Sequence, residues 1–93
     1  MHVRVVRFTG VTAERVEALR TRIEGEGAPP GVKSASLSLL FDESQGTAVA
    51  LQYFESAADM EEAGRVLGAI DPSETPGTRA SVDSCEVAIE MRG

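Results

Sequence analysis

Hydrophobic and polar positions switch between a period near two and a period near 3.6 along this chain, and each switch marks an element. His2 to Thr9 is Val-rich, contains Phe8, and predicts a strand. Thr12 then offers a helix N-cap, Val11 and Val16 can form a hydrophobic staple, and Val16, Leu19 and Ile23 share one helical face. Gly25 supplies the expected stop. After a loop dense in Gly and Pro (25–31), Lys33 to Phe41 alternates cleanly. Ala35, Leu37, Leu39 and Phe41 fall on one side, and Ser34, Ser36 and Ser38 on the other. Asp42-Glu43-Ser44-Gln45-Gly46 reads as a polar turn, and Thr47 to Phe54 as the returning strand of a hairpin.

Ser56-Ala57-Ala58-Asp59 resembles a capping box and opens a second helix with the stripe Met60, Ala63, Leu67 and Ile70. Asp71-Pro72 ends that helix, and 71–78 reads as a second loop. Val82 to Met91 alternates as a last strand, with Cys85, Val87, Ile89 and Met91 on the apolar side. The order β-α-β-β-α-β predicts a single α+β domain over residues 1–93. The expected fold is a ferredoxin-like plait: a four-stranded antiparallel sheet in order 4-1-3-2 with both helices on one face.

If odd-numbered strand positions face the helices, the open face carries Ser34, Ser36, Ser38, Ala48, Ala50, Gln52, Phe54, Ser84, Glu86, Ala88 and Glu90. The first strand adds Arg4, Val6 and Phe8, with Arg4 near Glu86 or Glu90. So many small side chains would let a second sheet approach, which predicts a homodimer through the sheet faces. A chain of 93 residues has a thin core, and pairing would help it.

Charge and composition narrow the function. A net charge of −6 argues against nucleic acid and against an anionic membrane surface. No apolar run approaches membrane-spanning length and the N-terminus does not read as a signal peptide, so the expected compartment is the cytoplasm. One Cys and one His cannot make a disulfide framework or an all-protein zinc site, and no metal is expected.

The same odd-residue pattern turns Arg7 and Tyr53 toward the helices. There they would meet in a cleft lined by Leu37, Leu39, Val49, Leu51, Met60, Leu67 and Ile89. A guanidinium and a phenol in an apolar cleft suit an anionic or enolic aromatic ligand. The plainer alternatives are that Arg7 reaches water or pairs with Asp83 and that Tyr53 only packs. His2 reads as a solvated strand-start residue and Cys85 as a small buried hydrophobe.

The element order, the Pro30-Gly31-Val32 lead into strand two, the acidic turn and the Phe54-Glu55-Ser56 lead into helix two together resemble the antibiotic biosynthesis monooxygenase (ABM)-like domains of the dimeric α/β-barrel superfamily. The resemblance covers nearly the whole chain. It implies a barrel formed by two sheets across a dimer and a small-molecule pocket in each protomer. It also implies chemistry such as cofactor-independent oxidation of quinone-like aromatics, haem degradation, or lactone and aldehyde reactions. The chain departs from that pattern in having no Asn, no Trp and no His on helix two. The family route to haem degradation is therefore not expected, and no cofactor is implied. The expectation is a small-molecule-binding protein, with a cofactor-independent monooxygenase as its catalytic form. A ligand-sensing or purely structural dimer is the alternative.

Overall fold

A computed structural model describes residues 1–27, 32–34, 36–70 and 74–92. The elements are β1 (His2–Thr9), α1 (Ala13–Glu26), β2 (Ser36–Asp42), β3 (Thr47–Phe54), α2 (Ala57–Gly68) and β4 (Thr78–Glu86). All strand pairs are antiparallel and the sheet order is β2-β3-β1-β4. This is the expected order read from the other edge, and the α+β arrangement is compatible with a ferredoxin-like plait.

The helix starts follow from local chemistry. The Thr12 side chain accepts from the Arg15 amide at 3.3 Å, and the Ser56 hydroxyl accepts from the Asp59 amide at 3.1 Å. Glu14 and Asp59 place negative charge in the two first turns, where the helix dipole favours it. The first helix runs past Gly25 and stops at Gly27, whose φ of 71° is open to glycine.

The hairpin departs from expectation by a single residue. Asp42 belongs to the strand and pairs with Thr47. Its carboxylate accepts from the Ser44 hydroxyl at 2.7 Å and the Gln45 amide at 3.3 Å, which holds its pKa below the usual carboxylate value. The turn is thus 43–46, closed by Gly46 at φ 66°. With this turn, odd positions of β2 lie opposite even positions of β3, which in turn lie opposite even positions of β1. Directly opposed residues share a face. Leu37, Leu39 and Phe41 keep their expected side, but Ala48, Ala50, Gln52 and Phe54 join them there, with Arg4, Val6 and Phe8.

The helix-covered side therefore holds most of the residues expected on the open face. Val6, Phe8, Ala48 and Ala50 are buried and pack with Val11, with Val16, Leu39 and Phe41 around them. A second cluster joins Phe54 to Met60 and Ala63 of α2, with Val32 and Leu67 against it. The small side chains of Ala48 and Ala50 make room for Phe8 and Val11, not for a second sheet. The uncovered face carries Val3, Val5, Ser36, Ser38, Leu40, Val49, Leu51, Tyr53, Asp83 and Cys85.

The last strand starts and ends earlier than expected. β4 covers Thr78–Glu86, and its register shifts between Arg7 and Phe8. The alternating segment beyond it leaves the sheet after one bond from the Val87 amide to the Met1 carbonyl, at 3.0 Å, and Ile89 and Met91 are almost fully exposed. The expected inward place of Ala35, most of the first loop (28–31) and part of the second (71–73) lie outside the described residues.

Two glycines near opposite ends of β1 make contrasting predictions. A Cβ on Gly77 would stand 2.3 Å from the Thr9 carbonyl oxygen and 2.8 Å from Val11 Cγ2. Gly77→Ala should lower stability by about 1–3 kcal/mol through overpacking against backbone. A Cβ on Gly64, inside α2, would meet only Arg4 Nε at 3.9 Å, an ordinary contact. Gly64→Ala should raise stability by about 0.5–1 kcal/mol. Urea unfolding of both variants checks the pair, and the two shifts should have opposite signs.

Candidate functional site

β1 brings Arg4 onto the helix-covered side, between Gln52 of β3 and Ser84 of β4. Its residue is 5% exposed. Arg4 Nη1 donates to Gln52 Oε1 at 3.0 Å. Among the described residues no carboxylate pairs with it. Burial lowers its pKa from the ordinary arginine value, and the neighbouring Arg79 guanidinium lowers it further. Two positive charges thus share one region, and among the described residues neither has a carboxylate partner.

Arg4 borders a cavity of about 550 Å³ between the sheet and the helices. Val6 and Phe8 of β1 and Leu37 and Leu39 of β2 supply its apolar floor, and Leu19 and Ile23 of α1 face it from above. Leu67 and Ile70 close the end near α2, while Glu74, Thr75 and Pro76 form another wall. Arg22, Glu26 and Arg79 bring charge to the lining.

The cavity exists because α1 does not settle onto the sheet. No residue of α1 is buried. Instead the helix is tied sideways to the segment before β4. Arg15 Nη2 donates to the Thr75 carbonyl at 2.6 Å, and Arg22 Nη2 donates to the Glu74 carbonyl at 3.0 Å. The Arg22 guanidinium also lies 3.8 Å from the Glu74 carboxylate. These contacts use the charge of Arg22 and Glu74 on each other, so Arg4 and Arg79 remain the cations open to a guest.

The residues singled out from sequence do not meet here. Arg7 is exposed on the uncovered face, opposite Val49 and Ser81, beside a shallow depression of about 270 Å³ that includes Asp42 and Thr47. Among the described residues it makes no ion pair with Asp83. Tyr53 lies on the same uncovered face, opposite Val3 and Ser36, roughly 13 Å along the strand from the Arg7 position. The expected convergence of Arg7 and Tyr53 in the helix-covered cleft is therefore corrected. The reason is the hairpin register, which turns odd positions of β1 and β3 away from the helices. Of the expected lining, Leu37, Leu39 and Leu67 do reach the cavity. Val49 and Leu51 face outward, Met60 packs on Phe54, and Ile89 is 91% exposed.

Cys85 is exposed on the uncovered face and not buried as expected. His2 is half-buried at the start of β1, opposite Phe54 and Glu86. Arg4, Gln52 and Arg79 were the residues missed. Assigning Asp42 to the strand would have found Arg4 and Gln52, because both follow from the length of the turn. No group of three or more His, Cys, Asp or Glu among the described residues could hold a metal ion. No protein-family model and no curated protein matches the chain.

A guanidinium held in an apolar cavity without a carboxylate is a poor way to build a core. Replacing a buried charge by a well-packed apolar side chain is often neutral or stabilising, whereas stripping it of its partner is costly. Arg4→Met should match the parent's stability or exceed it by up to about 2 kcal/mol. Gln52→Leu should lower stability by roughly 1 kcal/mol, because it leaves the guanidinium without its acceptor. Chemical denaturation of the two variants compares these outcomes, and a loss of several kcal/mol in Arg4→Met would make Arg4 a structural residue.

Proposed function

We propose that the chain is a cytoplasmic small-molecule-binding domain of the ABM type, acting as a homodimer with one ligand cavity in each protomer. The cavity of about 550 Å³ with Arg4 at its wall carries the proposal. That volume lies within the range of ligand sites, and a mainly apolar lining with a few converging polar groups is their usual chemistry. The ABM reading itself is supported by the order of elements and by the capped Ser56 entry to α2, two of the features on which the resemblance was drawn.

Pairing is supported by the exposed surface. The chain shows 6213 Å² of accessible surface, whereas a compact monomer of this mass shows about 5,200 Å². The uncovered face is apolar along its middle, through the half-buried Val5, Val49, Leu51 and Tyr53. Leu40 on the same face is 54% exposed. A second copy laid face to face would cover these groups and produce the two-sheet barrel of the superfamily.

The catalytic form of the proposal is a cofactor-independent monooxygenase, favoured by one observation. A guanidinium in an apolar cavity stabilises a phenolate, the electron-rich form of a fused-ring phenol. In the overall reaction a phenol C–H and O₂ become a quinone carbonyl and water, and the phenol supplies all four electrons. Among the described residues the cavity lining contains no His, Cys or Tyr, so Arg4 favours the phenolate by its charge, with Glu26 and Glu74 as the carboxylates at the lining that could accept the phenol proton. The non-catalytic alternative needs the same binding and lacks the oxidation.

Three experiments test this. Light scattering at micromolar concentration should give twice the chain mass, with an interface on the order of 1,000 Å² or more, and Leu51→Arg should return it to a monomer. A monomeric parent would refute the dimer. For the cavity, methyl 1-naphthoate, a neutral apolar probe, should shift the amide resonances of Val6, Leu39 and Leu67. If no amide in the cavity moves, the cavity does not bind small molecules. Adding 1-naphthol in an oxygen electrode then separates the catalytic form from the non-catalytic one by oxygen uptake that depends on the protein and falls in Arg4→Met.

A further inference from the structure

The cavity's charges are arranged unevenly, and this says more about its guest than its volume does. Its apolar lining comes from both helices and three strands, while its positive groups come from β1, β4 and α1. Arg22 is engaged by Glu74 at 3.8 Å. Glu26 borders the cavity at the last residue of α1 and forms no ion pair among the described residues. Arg4 is held by Gln52 alone, and Arg79 by no carboxylate among the described residues.

We infer that the ligand is an apolar acid, whose planar carboxylate is held between Arg4 and Arg79 and whose hydrophobic body lies against Phe8, Leu19, Ile23 and Leu39. The inference rests on the small-molecule reading above and specifies the chemical class that reading leaves open. Three features support it. Two guanidinia of like charge border one cavity, and burial leaves Arg4 with little water to screen the repulsion. An anion placed between them would relieve that repulsion and favour the charged form that burial disfavours. A guanidinium can bind a carboxylate through two parallel N–H donors. Arg4 has one Nη engaged by Gln52, which fixes the plane of the group and leaves its other N–H donors for the guest.

The geometry also sets a polarity. The charged end of the guest belongs near β1 and β4, and its apolar end beneath α1 and toward β2. Gln52 is a positioning residue here, since it acts by orienting Arg4. Leu37 and Leu39 offer no partner to a second charge at the far end, so a monoacid should bind more tightly than a diacid.

Comparing 1-naphthoic acid with its methyl ester by amide chemical-shift titration tests the inference, because the two differ only in the charge. The acid should bind the parent protein at least about tenfold more tightly than the ester. In Arg4→Met that preference should vanish while the ester still binds. Arg79→Gln alters an exposed side chain without an ion pair among the described residues, and it should reduce the preference by roughly threefold or more. Equal affinity for acid and ester in the parent protein would overturn the inference and leave the small-molecule reading standing. Retention of the full preference in both variants would also overturn it. Failure of both ligands to bind would instead refute the small-molecule reading itself.

Discussion

The structure depends on the pairing of Asp42 with Thr47. That pair closes the hairpin with a four-residue turn, 43–46, and the parity of every other strand follows from it. Side chains alternate along a strand with a period of two, so a one-residue change in register moves a whole set to the other face. The turn is secured by hydrogen bonds from Ser44 and Gln45 to the Asp42 carboxylate and by the positive φ of Gly46. It is also tied to the segment between β1 and α1, because the Val11 amide donates to the Gly46 carbonyl at 2.8 Å. One short polar segment therefore decides that Phe8, Ala48 and Ala50 form a core and that Arg4 enters the interior.

The interior that results has two packed parts and a gap between them. One cluster sits under Val11 and Val16, the other under α2 around Phe54. Between them α1 stands off, held laterally by arginines to the segment before β4. Filling the gap with larger side chains would give a firmer core, and the sequence instead has Arg4 with a single amide partner there among the described residues. A feature that weakens packing and exposes converging polar groups is the usual mark of a site built for a guest.

The opposite face tells a complementary story. Its middle is apolar and uncovered, and β4 is exposed along its whole length. Beyond β4 the chain carries Ile89 and Met91 into solvent. The cavity and the bare face lie on opposite sides of one four-stranded sheet, so occupancy of the first and pairing through the second do not compete for the same surface.

The sequence by itself determined the order of elements, their antiparallel pairing and the starts of both helices. Thr12 and Ser56 announce those starts through local hydrogen bonds that need no distant partner. The alternation of β2 was equally readable, because serines and leucines differ sharply in hydrophobicity. Strands one and three carry no such contrast. Val5 and Val6, or Val49, Ala50 and Leu51, are apolar on both sides, so their facing could come only from the register of their neighbours. The end of the last strand was misread for a related reason: Val87, Ile89 and Met91 alternate correctly but have no strand beside them to complete a ladder. Tertiary structure decided the burial of Arg4 and the presence of the cavity, each for its own reason. Arg4 enters the interior through the cross-strand register that the hairpin sets. The cavity depends on contacts between α1 and residues about 50 to 60 positions later, which tie the helix sideways so that none of its residues becomes buried against the sheet.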